Sequence, residues 1–282
     1  MEKWFLTRKG ADFQKISQTF HISPILARLI RNRDIVGDEA IELYLNGTIA
    51  ELYDGILMKD MDVAVSVLQE KLKEGKEIRV IGDYDIDGIN ATYILMEGGK
   101  ELGGKVSIDI PDRMKDGYGL NRTLIDRAFD DEIDTIITCD NGIAAKDEIA
   151  YAKSLGMTVI VTDHHEVPYE ETEDGIRHLL PAADAVVDPK RGDCEYPFPN
   201  LCGAAVAYKL IETLFNVEGK DVEDIDSLME NVAIATVGDV MDLVGENRIF
   251  VKQGLEMLKR TKNLGLKALM ECTGIQVERL SA

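Results

Sequence analysis

From residue 78 onward, short apolar, β-branched runs alternate with segments of helical periodicity. The runs occupy 78–81, 106–110, 135–138, 158–162 and 185–187, and helical patterns fill 89–102, 121–130 and 144–155 between them. This alternation leaves few folds open. Strands that are apolar at nearly every position need cover on both faces, and a helical crossover returns each strand parallel to the last. The expected class is therefore α/β: a parallel β-sheet flanked by helices. Helical segments precede and follow it. Residues 1–77 carry three candidates. Ser23-Pro24 caps a helix whose apolar face includes Ile25, Leu26, Leu29 and Ile30, a second runs over 38–45, and a third over 61–72 closes at Gly75. After Pro199 the helical pattern resumes at 203–216, 226–237 and 247–260. The acidic stretch 166–174 reads as an exposed loop. The expected organisation is a helical region at 1–77, an α/β domain at 78–245 and a helical connector at 246–282.

Composition excludes several function classes. Of 282 residues, 45% are hydrophobic, enough for a sizeable core. Lys plus Arg number 32 against 52 Asp plus Glu, a net charge of −20, so bulk positive charge cannot be the basis of nucleic-acid binding. A local basic groove or bound divalent cations remain compatible with that balance. No apolar run approaches the roughly 20 residues of a membrane span. Residues 1–10 lack a signal-peptide pattern. Cys139, Cys194, Cys202 and Cys272 form no C-x-x-C pair, which argues against a disulfide framework or a cysteine zinc site. A cytoplasmic protein with no membrane partner is expected.

The acids are placed where an α/β sheet binds ligands, at the carboxyl ends of strands. G-D-Y-D-I-D-G, residues 82–88, follows the first run and sets Asp83, Asp85 and Asp87 at alternate positions. An EF-hand loop also begins D-x-D-x-D-G, but its twelfth position here is Ile94 rather than Glu, and no helix precedes it. Capping of the next helix accounts for one aspartate, not three. C-D-N-G, residues 139–142, follows the third run. T-D-H-H-E, residues 162–166, follows the fourth and contains two of the four histidines in the chain. G-D-V-M-D, residues 238–242, ends a helical pattern. A lone strand-end acid or surface histidine usually means little; four such clusters in one fold mean more. Asp83, Asp85, Asp87, Asp140, His164, His165 and Asp239 together suit a pair of Mn²⁺ or Mg²⁺ ions better than zinc, because hard oxygen donors dominate. So many acids in one site would repel each other without cations. Paired metals of this kind hydrolyse phosphate esters.

V-T-D-H-H resembles the signature of the DHH phosphoesterase superfamily. The wider set is similar to its RecJ-type branch of bacterial exonucleases specific for single-stranded DNA. The stretches that carry the resemblance are I-G-D-Y-D-I-D-G, I-P-D-R-M-K-D-G-Y-G-L, I-T-C-D-N-G-I, V-I-V-T-D-H-H, V-V-D-P-K-R, L-C-G-A-A-V-A-Y-K-L and T-V-G-D-V-M-D-L-V-G-E-N-R, in order from 80 to 248. K-W-F-L, I-S-P-I-L-A-R-L-I-R-N-R and L-M-K-D-M-D extend it toward the N-terminus. Two departures stand out: Asp188 where the branch usually has Asn, and Asp242 where it often has Pro. No glycine- and histidine-rich motif follows residue 248, so the resemblance implies a catalytic region without its C-terminal substrate-binding domain.

The resemblance also implies roles. Asp140 would bridge two metals, Asp83, Asp85 and Asp87 would share the remaining first-motif contacts, and His164 with Asp239 would complete one site. His165 would face the phosphate, with Asp163 orienting the histidine pair. A metal-activated water would release 5′-mononucleotides from the 5′ end of single-stranded DNA, in repair and recombination, with repair or replication proteins as further partners. Arg113, Lys115, Tyr118, Asn141, Lys190 and Arg191 are candidates for substrate contact; ordinary solvated surface is the alternative for the basic ones. Residues 246–267 hold Arg248, Lys252, Lys259, Arg260, Lys262 and Lys267 against two acids, a local positive stretch where DNA or another domain could dock. Competing functions are a DHH phosphodiesterase of short oligonucleotides or cyclic dinucleotides, and a non-catalytic replication scaffold. The complete set of ligand types disfavours the scaffold.

Overall fold

The computed structural model describes residues 3, 9–172 and 175–280. All of K-W-F-L except Lys3, most of the first ten residues, and positions 173, 174, 281 and 282 lie outside the described residues. The chain forms two compact units, 1–52 and 53–282.

The first unit holds α1 (Phe13–Thr19), α2 (Pro24–Asn32) and α3 (Asp38–Asn46). The start of α2 follows from its sequence: the Ser23 hydroxyl accepts from the Leu26 N–H, Pro24 occupies the first turn, and Ala27 and Ile30 turn inward. Asp12 caps α1 in the same way, through the Lys15 N–H. The Arg28 guanidinium lies 4.3 Å over the Phe13 ring and ties α1 to α2.

In the second unit the elements run α4 (Met61–Lys73), β1 (Glu77–Ile81), α5 (Ile86–Glu101), β2 (Lys105–Asp109), α6 (Arg122–Asp130), β3 (Thr135–Cys139), α7 (Lys146–Ser154), β4 (Thr158–Thr162), β5 (Tyr169–Thr172), β6 (Gly175–His178) and β7 (Ala185–Val187). Then come α8 (Gly203–Val217), α9 (Met229–Gly238), α10 (Gly245–Leu258) and α11 (Leu264–Thr273). Five strands form one parallel sheet in the order β2-β1-β3-β4-β7. Alternating residues serve opposite faces, as a pleated strand requires. Ile136, Val159 and Val161 join Leu124, Ile125 and Ile149 of α6 and α7 in one core. Ile78 and Ile137 meet Leu68 of α4, Leu95 of α5 and Ile211 of α8 on the other face. The expected parallel sheet between helical layers is what forms.

Three expectations change. The boundary of compactness falls at Leu52–Tyr53 and not at 77, because α4 buries Met61, Ala64, Val65 and Leu68 and packs on β7 and α8. The stretch 166–174 is not simply a loop: β5 pairs antiparallel with β6, Tyr169 opposite His178. Its strands are polar and mostly exposed, so no apolar alternation announces them; the backbone ladder and the Glu170–Arg177 ion pair do the holding. Nor is β2 covered on both faces. It is the sheet edge, with Ile108 exposed.

The order places the site. From β1 the chain moves outward to β2, then returns across β1 to β3. The carboxyl ends of β1 and β3 therefore flank the point where the winding reverses, the usual crevice for ligands in an open α/β sheet.

Candidate active site

Four segments deliver acids and imidazoles to this crevice. Asp83 and Asp87 flank the start of α5, and both are buried. Asp140 follows β3 with φ 58, in the left-handed region that aspartate tolerates better than most residues. Asp163, His164 and His165 follow β4, and Asp239 sits at the end of α9. The next residue, Val240, is also left-handed at φ 58, which is costly for a β-branched side chain and marks a strained turn beside Asp239.

His164 is the hub. Its Nε2 lies 3.0 Å from Asp140 Oδ1, 3.4 Å from Asp87 Oδ2 and 3.9 Å from Asp239 Oδ2. Among the described residues, two sets bring their ligand atoms within 4.8 Å of one another: Asp140 with His164 and His165, and Asp87 with His164 and Asp239. Oxygen-rich donors with one or two imidazoles form the set a hard divalent cation takes. The charge balance points the same way. Asp83 Oδ2 and Asp140 Oδ2 are buried with no hydrogen-bond partner. Burial, reinforced by Asp87, Asp85 and other acids, pushes the Asp140 carboxyl up to about 11. Burial also raises Asp83 and Asp87, the latter against the pull of His164. Such a cluster holds protons, or it holds cations.

Asp87 is gripped from outside the motifs. Its oxygens accept from the Gly203 N–H at 2.6 Å and the Ala204 N–H at 2.7 Å, which open α8 and present the positive end of its dipole. Gly203 is needed for the approach, since a Cβ there would stand 2.7 Å from Asp140 Cβ. Nothing in the motifs marks these two residues as site components except the small-residue run L-C-G-A-A, which permits the close approach.

Asp163 is a brace. Its Oδ1 accepts from His165 Nδ1 at 2.7 Å and from the backbone N–H groups of His164 and His165, and its Oδ2 accepts from the Ile143 N–H. Burial pushes its carboxyl upward, but His165 and these donors outweigh burial and hold it below the usual range. The same bond raises the His165 pKa against burial.

Not every candidate joins the cluster. Asp85 is exposed and caps α5, its Oδ1 accepting from the Asp87 and Gly88 N–H groups; it is the one aspartate of the motif with a capping role. Asn141 turns inward. Its amide donates to the Ile81 and Cys139 carbonyls and accepts from the Leu120 N–H, so it stitches loops together. Arg191 is buried, paired with Asp60 and Asp193 and donating to the Val186 carbonyl. Both side chains, expected at the substrate, are engaged by partners within the chain. Lys190 pairs with Glu166 at 3.2 Å near the histidines. Arg113 lies 4.8 Å over the Tyr84 ring, and Tyr84 stands edge-on to Tyr118. Asp188 is buried where the resemblance expects Asn. Its Oδ1 accepts from the Lys190 N–H, its Oδ2 has no partner, and burial pushes it up to about 7.

Known proteins agree with this geometry. Residues 77–236 match the DHH family, N-terminal domain. The chain is 37% identical over 277 residues to the single-stranded-DNA-specific exonuclease RecJ of Bacillus subtilis, covering 96% of this chain and 33% of that one. It superposes on a crystal structure of exonuclease RecJ bound to manganese with TM-score 0.69 at 33% identity, over 78% of this chain and 53% of that one. For RecJ of Thermus thermophilus in complex with Mn²⁺ the TM-score is 0.73 at 28% identity, over 94% and 36%. The chain spans a third to a half of the length of the first curated relatives it matches, 33% and 48%. With the sheet order, the strand-end acids and the histidine pair in place, the chain belongs to the DHH family.

Proposed function

We propose that this chain carries the hydrolytic centre of a metal-dependent 5′→3′ exonuclease acting on single-stranded DNA, in repair and recombination, with two Mn²⁺ or Mg²⁺ ions. The observation that carries the reading is the cluster of Asp87, Asp140, His164 and Asp239 beside two buried, unpartnered carboxylate oxygens. Support comes also from the relatives: the matched curated proteins are exonucleases specific for single-stranded DNA, and two solved relatives hold manganese.

Asp87, Asp140, His164 and Asp239 would hold the cations, with Asp83 Oδ2 as a further donor. Bound divalent cations supply Lewis-acid activation of a water and neutralise charge at a phosphodiester. The chain's own groups do the rest. The α8 N–H groups of Gly203 and Ala204 orient Asp87. Asp163 holds a proton on His165 Nδ1 and, by raising the His165 pKa, favours an imidazole that stays positive as phosphoryl charge develops. Arg113, over the Tyr84 ring, and Lys190, beside Glu166, would meet the DNA backbone. In this reading residues 78–245 are catalytic and 246–282 would lead toward a further domain, where much of the grip on DNA would reside. Among the described residues no helix is long and apolar enough to cross a membrane.

The test is degradation of a long single strand labelled at one end at a time, with Mn²⁺, with duplex DNA and a cyclic dinucleotide in parallel. Release of mononucleotides from the 5′ end is expected. Hydrolysis of the cyclic dinucleotide with the single strand left intact would replace this reading by the short-substrate one.

A further inference from the structure

The loop 110–120, between β2 and α6, is built with more care than a substrate-contact loop needs. Asp112 Oδ1 accepts from the Met114 and Lys115 N–H groups, and Asp116 Oδ2 accepts from the Asp112 N–H, closing a tight turn. Gly117 and Gly119 then adopt φ 79 and 67, left-handed values that place the one residue between them, Tyr118. Beyond Tyr118 the loop is latched to both metal-motif segments. The Gly119 N–H points to Asp83 Oδ1 at 3.4 Å, and the Leu120 N–H donates to Asn141 Oδ1 at 3.2 Å. The inward turn of Asn141 thereby acquires a purpose: it holds this loop.

The side chain so held reaches the histidine pair. The Tyr118 hydroxyl lies 3.3 Å from His165 Nε2 and 3.2 Å from the Asp140 carbonyl oxygen, to which it donates. The two rings stand edge to face, 6.1 Å apart. Asp163 takes the other ring nitrogen of His165 at 2.7 Å. His165 is 46% exposed, so packing holds it on one side only, and two hydrogen bonds at opposite corners are what fixes its ring plane. One bond would leave the ring free to swing about Nδ1.

We propose that Tyr118 is a positioning residue, whose hydroxyl, bridging His165 Nε2 and the Asp140 carbonyl, locks the His165 ring, rather than a platform on which a base stacks. The inference rests on the reading of His165 as the group facing the phosphate, and it assigns the loop's glycines and Asn141 to the same device. The two roles separate cleanly in one substitution. Tyr118→Phe keeps the ring and removes the hydroxyl. A stacking residue tolerates that change; a positioning residue does not.

The experiment compares wild type, Tyr118→Phe, Tyr118→Ala and His165→Ala on single-stranded DNA with Mn²⁺, together with the imidazole ¹⁵N resonances of His165. For Tyr118→Phe the expected result is a fall in kcat of about tenfold or more with KM near wild type, and no further loss in Tyr118→Ala. The His165 Nε2 resonance should shift in Tyr118→Phe, in a protein that melts like wild type. Wild-type kcat in Tyr118→Phe with a raised KM in Tyr118→Ala would overturn the proposal in favour of stacking. If wild type itself cleaves nothing, the resonance alone decides: an unshifted His165 in Tyr118→Phe overturns the positioning role.

Discussion

Two of the places where the second unit buries charge are built differently. Beneath α8 and α10, Lys209 and Glu246 are both buried and mutually satisfied. Lys209 Nζ lies 3.5 Å from Glu246 and from Glu212 and donates to the Tyr53 carbonyl. Glu246 accepts from the Tyr53 N–H at 2.8 Å and the Tyr196 hydroxyl at 2.7 Å. At the strand ends, by contrast, Asp87 and Asp140 meet the His164 imidazole, the two metal-competent groups found among the described residues contain only Asp and His, and Asp83 Oδ2 and Asp140 Oδ2 have no partner. A cluster that serves the fold closes its own charge. A cluster that serves a ligand leaves the charge to be closed from outside.

The comparison can be broken in four ways. Asp140→Ala should abolish Mn²⁺-dependent hydrolysis while the metal-free protein still folds, because removing a carboxyl with unfavourable neighbours offsets the strain of alanine at φ 58. Retained turnover with intact metal stoichiometry would remove Asp140 from the centre. Lys209→Met should do the reverse. It strands Glu246 in the interior at a cost of about 3–5 kcal/mol, read by urea unfolding, and whatever folds should still bind cation. A loss under about 1 kcal/mol would mean the network is not what ties α8 to α10. Third, free Mn²⁺ at about a hundred times its Kd should stabilise the protein by about 2.7 kcal/mol, reversed by chelator and absent in Asp140→Ala. An equal shift in that variant would place the ion elsewhere.

The smallest expected effect concerns Asp188. Its folded pKa is raised, so between about pH 4 and about 7 the native state keeps a proton that the unfolded chain has released. Stability from this group is therefore greatest at low pH and is lost as pH climbs through that window. Asp188→Asn should remove the loss and raise stability over wild type at about pH 8, with little difference at about pH 4, in metal-free protein. A difference between the two proteins that does not grow with pH would refute the assignment.

Much of this was legible before folding. The β-branched runs placed all five sheet strands, because strands covered by helices are apolar along their length. The strand-end clusters carried the candidate ligands. What stayed hidden was which polar group would find a local partner. Nothing in D-Y-D-I-D tells that Asp85 caps α5 while Asp87 turns in to meet α8; that depends on where α8 begins in space, 116 residues later in the chain. Asn141 and Arg191 look like substrate contacts in a motif, yet in the fold they brace it, because Leu120, Ile81, Asp60 and Asp193 arrive beside them as hydrogen-bond partners. The β5–β6 hairpin is silent in sequence because its strands have no buried face.

By itself, then, the sequence determined the class of fold, the parallel pairing and the chemistry of the donors, since these follow from periodicity, apolar content and residue type within a few neighbours. Tertiary structure decided the rest: the winding reversal that sets β1 beside β3, the α8 N-terminus that grips Asp87, and the separation of acids left unpaired from charges that close on themselves. Those outcomes turn on distances of a few ångströms between residues far apart in the chain, and electrostatic balance in a buried site is set at that scale.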